Sequence, residues 1–233
     1  VDIYVRSLFI NIFMSYYIHA EQPHIFIHIP KTAGSSILQV IKQNYDYEII
    51  SNNETKYTNY HSSLEHASNF VCPYNSAFYI FTVVRNPWGR VSSWFHFRKE
   101  IVRKGLKAIN AGKHTKKVED YELILKEYNI MNDDFNKWIE LYYNSKWDHT
   151  WFSLNNTQTA WLQSTKFTVD NVIKFEDINT GIKDVPMFQN KKLPVYNVSP
   201  VKYDYTNMYN SASQNLISKI YQEDIDTFKY TFK

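Results

Sequence analysis

The stretch His24-Ile25-Phe26-Ile27-His28-Ile29-Pro30-Lys31-Thr32-Ala33-Gly34-Ser35-Ser36-Ile37-Leu38-Gln39-Val40-Ile41 decides the fold. Its first six residues are a short β-rich run closed by Pro30, the pattern of a buried strand. Further on, apolar residues at 37, 38, 40 and 41 have helical spacing. A helix is expected from Ser35 or Ser36, with a serine as its N-cap. A strand, a short loop and a helix start make an anion site. The first-turn N–H groups face outward and the helix dipole favours negative charge. Lys31 adds a positive charge, and Thr32, Ser35 and Ser36 add hydroxyl donors. Gly34 lets the backbone come close to the anion. Glycine is scarce, with 5 in 233 residues, so its position here carries information.

The loop is not a Walker A loop. That motif ends in Gly-Lys-Ser/Thr, whereas here the lysine comes first and no Gly-Lys-Ser/Thr occurs anywhere in the chain. A kinase or other nucleoside triphosphatase of the P-loop type is therefore the weaker alternative. A non-catalytic nucleotide-binding module of the same fold is a second.

A similar junction follows downstream. Phe78 to Val84 is a second buried strand, running into Arg85-Asn86-Pro87 with proline suited to the first helical position. The segment from Trp88 to Lys104 reads as helical, as do 117–128 and 133–143. On a helix starting at Pro87, Ser93 turns towards the strand end, so Arg85 and Ser93 can share one phosphate. Val169 to Phe175 is a late strand. Asn210 to Phe228 reads as one amphipathic helix with Leu216, Ile217, Ile220, Tyr221, Ile225 and Phe228 on its apolar stripe. Strands alternating with helices give the α/β class: one domain over 1–233, with a central, mainly parallel sheet flanked by helices.

The two motifs resemble those of PAPS-dependent sulfotransferases (PAPS is 3′-phosphoadenosine-5′-phosphosulfate), closest to the carbohydrate, Golgi-type branch and its bacterial relatives. His28 to Ser36 is similar to the family's 5′-phosphosulfate loop, and Arg85-Asn86-Pro87 with Arg90 and Ser93 to its 3′-phosphate motif. The resemblance covers 24–230, leaving 1–23 as an N-terminal packing segment. It implies a P-loop-like sulfotransferase fold and PAPS as cosubstrate, with PAP (the desulfated product) released and no metal. Lys31, Thr32, Ala33, Gly34, Ser35 and Ser36 would hold the 5′ end, and Arg85 and Ser93 the 3′-phosphate. Ser199 and Lys202 lie in a segment similar to the family's late loop near that phosphate. Gln158 to Leu162 looks like a short family helix that begins with Gln. Lys174-Phe175-Glu176 looks like the strand end where the family usually carries Arg-Phe-Glu, so lysine stands where arginine is usual.

Sulfuryl transfer to a hydroxyl needs a base, a stabilised leaving phosphate and an in-line geometry. Lys31 suits the second role. His61 is the first candidate for the base, since the resembled branch has a histidine followed by small residues at about this place; His66 is the next. His28 reads as a hydrogen-bonded core residue. No His, Cys and carboxylate spacing suggests a metal site.

The rest of the composition sets bounds. A net charge of +3 does not mark a nucleic-acid binder. Cys72 is the only cysteine, which excludes an internal disulfide and leans towards a reducing, cytoplasmic compartment. Leu8 to Ile18 is apolar but interrupted, and too short to span a bilayer. An anchor ahead of Val1 stays open. Three Asn-x-Ser/Thr matches, at Asn53, Asn155 and Asn197, read as chance in an Asn-rich chain. The basic run Arg98, Lys99, Arg103, Lys104, Lys107, Lys113, Lys116 and Lys117 is either an anionic-glycan surface or a solvated helix face. Trp138, Trp147, Trp151 and Trp161 either stack on sugars or fill the core. The acceptor implied by the resemblance is a carbohydrate hydroxyl. Oligomeric state is not legible.

Overall fold

A computed structural model describes residues 15–50, 63–71, 77–111, 118–144, 156–194 and 204–233. Its strands are β1 (Ser15–His19), β2 (His24–Ile27), β3 (Asp46–Ile50), β4 (Tyr79–Val84) and β5 (Asn171–Lys174), in the sheet order β3-β1-β2-β4-β5. The α/β class expected from the sequence holds. The sheet is mixed: β2, β4 and β5 run parallel, while β3-β1-β2 is antiparallel. Residues 20–23, which join β1 to β2, are too few for a crossover, so these strands must pair as a hairpin. Most of the stretch read as N-terminal packing lies outside the described residues, but its end, Ser15 to Ile18, is an interior strand.

Period-two alternation explains which side chains go where. Tyr16, Ile18, Phe26, Phe81, Val83 and Ile173 point to one face, where α1 (Gly34–Asn44) covers them with Ile37, Leu38, Val40 and Ile41. Tyr17, Ile25, Ile27 and Ile80 point to the other, against Leu64 and Ala67 of α2 (Leu64–Val71). A second core forms where α3 (Pro87–Asn110), α4 (Val118–Asp133), α5 (Phe135–Asn144) and the C-terminal helices meet around Trp88, Trp94, Phe95, Trp138 and Tyr221.

Two boundaries differ from the sequence reading. The N-cap of α1 is Ala33, in the left-handed region at φ 74°, and no side chain caps the helix. Ser35 and Ser36 lie inside the first turn instead. The long C-terminal helix is broken at Tyr221, leaving α7 (Ser211–Ile220) and α8 (Gln222–Phe228); between β4 and β5 lies the short helix α6 (Gln158–Leu162). The apolar stripe survives the break because Ile217 and Tyr221 stay buried in one cluster, while Phe228 turns away to pack with Tyr230.

Among the described residues, no helix is long and apolar enough to cross a membrane.

Candidate active site

The parallel strands β2, β4 and β5 all end on one side of the sheet, where the crevice outside their carboxyl ends suits a ligand. The loop after β2 is shaped by its carbonyls. The Thr32 hydroxyl donates to the Ile29 carbonyl at 2.8 Å. Arg90 Nε donates to the Pro30 carbonyl at 3.1 Å, and Arg85 Nη1 to the Lys31 carbonyl at 3.3 Å. Three successive carbonyls are thus held by side chains. Lys31 and Ala33 both adopt positive φ, 70° and 74°, with Thr32 between them on the ordinary side. Such alternation turns successive N–H groups towards a common concavity, the geometry of an anion nest. The N–H groups of Gly34 and Ser35 open the first turn of α1, where the helix itself supplies no acceptor.

Gly34 carries a constraint beyond the one read from the sequence. A Cβ built there would lie 1.8 Å from Nε2 of His28. Glycine is needed at this position because the imidazole already fills the space. His28 is buried and stacks on Phe26 at 5.5 Å between ring centroids. Thr32 is fully buried with its hydroxyl turned inward, so it can offer a ligand only its backbone N–H. Ala33 and Ser35 remain partly exposed at the mouth, and Ser36 is buried.

The segment from Arg85 to Ser93 meets this loop along one face of α3. A Cβ at Gly89 would stand 3.5 Å from Arg85 Nε. Ser93 is one turn further and Phe97 another, and the Lys31 ammonium sits 4.0 Å from the Phe97 ring centroid. Ser93 therefore lies between the Arg85 contact and the Lys31 contact. Burial and the neighbouring Arg85 push the Lys31 ammonium down to about 7. Burial lowers Arg85 to about 10, against the opposing pull of Glu176. The Arg85 guanidinium stacks on Phe175 at 4.2 Å. Among the described residues no carboxylate is ion-paired with either cation. Two adjacent, partly desolvated cations, neither in an ion pair among the described residues, favour an anionic ligand.

Residues 15–231 match the model of the sulfotransferase family. The chain belongs to that family. No curated protein and no solved structure matches it.

In this sulfotransferase Arg85 is held at its backbone. The side chains that hold it here come from far along the chain. Gln158 Oε1 accepts from the Arg85 N–H at 2.8 Å and Gln158 Nε2 donates to the Arg85 carbonyl at 2.8 Å. Asp224 is fully buried and accepts from the N–H groups of Gln158 and Thr159, both at 2.8 Å. Glu176 accepts from the Asn86 N–H at 2.9 Å. Asn86 in turn caps α3, its side chain accepting from the Trp88 N–H. The sequence signals Gln158 only through its family-like helix, and Asp224 only as a member of the family-like C-terminal helix, where it looks like any solvated acidic residue.

The remaining sequence candidates are distributed unevenly. His61, Ser199 and Lys202 lie outside the described residues. His66 is half-buried on α2, its N–H donating to Ser63 Oγ at 3.3 Å. Lys174 points at the Tyr230 ring, 5.1 Å from its centroid. The basic run is partly neutralised from within: Arg98 makes a two-pronged pair with Glu127, and Arg103 and Lys104 both reach Glu100. Lys113, Lys116 and Lys117 lie outside the described residues. Trp138 and Trp161 are core residues, and Trp147 and Trp151 lie outside the described residues. Among the described residues no His, Cys, Asp and Glu group could hold a metal ion.

Proposed function

We propose that this sulfotransferase moves the sulfuryl group of PAPS to a hydroxyl of a carbohydrate acceptor. The observation that carries the reading is the meeting of Lys31, Ser93 and Arg85 on one face of α3, beside a loop with its carbonyls tied back. The loop N–H groups and Lys31 take the 5′-phosphosulfate, and Arg85 and Ser93 take the 3′-phosphate. Ser199 and Lys202 add contacts on that side.

In the reaction the acceptor oxygen attacks sulfur as the bond from sulfur to the bridging phosphate oxygen breaks. The electron pair stays on that oxygen, and the Lys31 ammonium steadies it. The acceptor proton passes to His61, the proposed base. PAP leaves with its charge held by the same loop. The carbohydrate assignment rests on the resemblance of the two motifs to the carbohydrate branch.

The test is thermal stabilisation by PAP against stabilisation by ATP with Mg²⁺, followed by transfer of labelled sulfate from PAPS to a panel of glycans. Stabilisation by PAP with label appearing on a glycan supports the reading. A response to ATP with Mg²⁺ alone would return the chain to the kinase reading. PAP binding without transfer to any hydroxyl acceptor would make it a binding module.

A further inference from the structure

We infer that Gln158 and Asp224 are positioning residues that set Arg85 for the 3′-phosphate, an inference resting on the role proposed above for Arg85. Arg85 is the first residue past the end of β4, where the ladder to β5 has stopped at Val84↔Lys174. A backbone leaving a sheet loses its partners and with them its fixed direction. Gln158 replaces them. Its amide offers an acceptor to the Arg85 N–H and a donor to the Arg85 carbonyl, as a paired strand would. A primary amide does both from one side-chain end, with donor and acceptor on separate atoms, as on a paired strand.

The amide must also face the right way round, and Asp224 ensures this. Its Oδ2 lies 3.2 Å from Gln158 Nε2 and 2.8 Å from the Gln158 N–H. Its Oδ1 takes the N–H and the hydroxyl of Thr159. A carboxylate accepts only, so the amide nitrogen must point towards it and the oxygen towards Arg85. Both Gln158 and Asp224 are fully buried, so no water competes for these bonds. The guanidinium is then aimed by a backbone fixed at both its polar groups, with Phe175 beneath and the Lys31 carbonyl at one nitrogen.

The role differs from simple support of the fold, because it acts on one phosphate of the ligand. The experiment is calorimetric binding of PAP and of adenosine 5′-phosphate, which lacks the 3′-phosphate, to the full chain. Variants are Q158E, D224N, R85A and the double variant R85A with Q158E. Glutamate at 158 keeps the length, but as a carboxylate it cannot donate to the Arg85 carbonyl. Asparagine at 224 turns a donor towards donors. The expected result is an approximately tenfold weaker PAP affinity in Q158E and D224N with adenosine 5′-phosphate affinity held within about twofold, the scale of one misaligned hydrogen bond to a charged group. In the R85A background Q158E should add nothing to the PAP loss. Equal losses for both ligands, or a Q158E loss that persists without Arg85, overturn the positioning role. If R85A itself weakens both ligands equally, the reading of Arg85 falls, and the inference with it. For a variant too unstable for calorimetry, the difference between its stabilisation by PAP and by adenosine 5′-phosphate gives the same comparison: a narrowed difference supports the role and an unchanged one overturns it.

Discussion

Arg85 Nη1 donates to the backbone carbonyl of Lys31 at 3.3 Å, so the loop after β2 and the residue that leads into α3 touch directly. The contact brings a second cation next to Lys31, and that neighbour, after burial, is what pushes the lysine down to about 7. A bound anion favours the ammonium form, so the occupied site must hold a higher pKa than the empty one. The sign follows. Below the empty-site value Lys31 is charged in both states and adds no pH dependence. Above it, binding takes up a proton, and PAP affinity falls by up to about tenfold per pH unit until the occupied-site value is reached. Calorimetry in buffers of different ionisation heat, from about pH 7 to about pH 9, reads the uptake directly. Lys31→Met should abolish it, and a flat affinity across that window in the wild type would refute the linkage.

Arg85→Ala should weaken PAP binding by about 1.5–3 kcal/mol, the range for hydrogen bonds to charged groups. Adenosine 5′-phosphosulfate, without the 3′-phosphate, should bind nearly as before. Arg85→Lys should recover only part of the loss, because an ammonium lacks the planar fork that stacks on Phe175 and spans two oxygens. Full recovery by lysine would mean that charge alone matters here.

Gly34 and His28 form a pair that a double substitution can test. Gly34→Ala drives a methyl into the buried imidazole, and should cost about 1–3 kcal/mol of unfolding free energy, as overpacking usually does. His28→Ala opens a space in the same place. The combination should therefore be less damaging than the sum of the two, measured by denaturant unfolding. Strict additivity would show that the glycine is needed for another reason.

For His61 as the base, His61→Ala should lower turnover by about 10²–10⁴-fold with PAP affinity unchanged. Asparagine should not rescue it, since it cannot take the proton. Single-turnover rates across about pH 5.5 to 8.5 should fall on the acidic side in the wild type and lose that limb in the variant. A larger loss in His66→Ala, or near-normal transfer in His61→Asn, would move the base away from His61.

Local signals were read well where the chain itself carries the cause. The apolar spacing at 37, 38, 40 and 41 gave the buried side of α1, and Pro87 after Asn86 gave the start of α3. The two strand-to-helix junctions, at 28–36 and at 85–87, are legible for the same reason. The losses have one physical origin. The strand Ser15–His19 is short, and only its pairing with two neighbours makes it interior. Gly34 was read through its backbone, while its constraint comes from a side chain six residues earlier in space beside it. Gln158 and Asp224 matter through contacts 73 and 66 residues apart, and periodicity carries no record of such distances.

The same distances order events during synthesis. Arg85 emerges from the ribosome long before Asp224, whose carboxylate fixes its brace, and before Thr231, whose carbonyl receives the Asn86 amide. At ordinary translation rates the interval is on the order of ten seconds. Throughout it, the nascent chain can already hold the hairpin and the loop after β2, but not the brace that fixes Arg85. On the roles proposed above, tight capture of the nucleotide waits until α8 has docked.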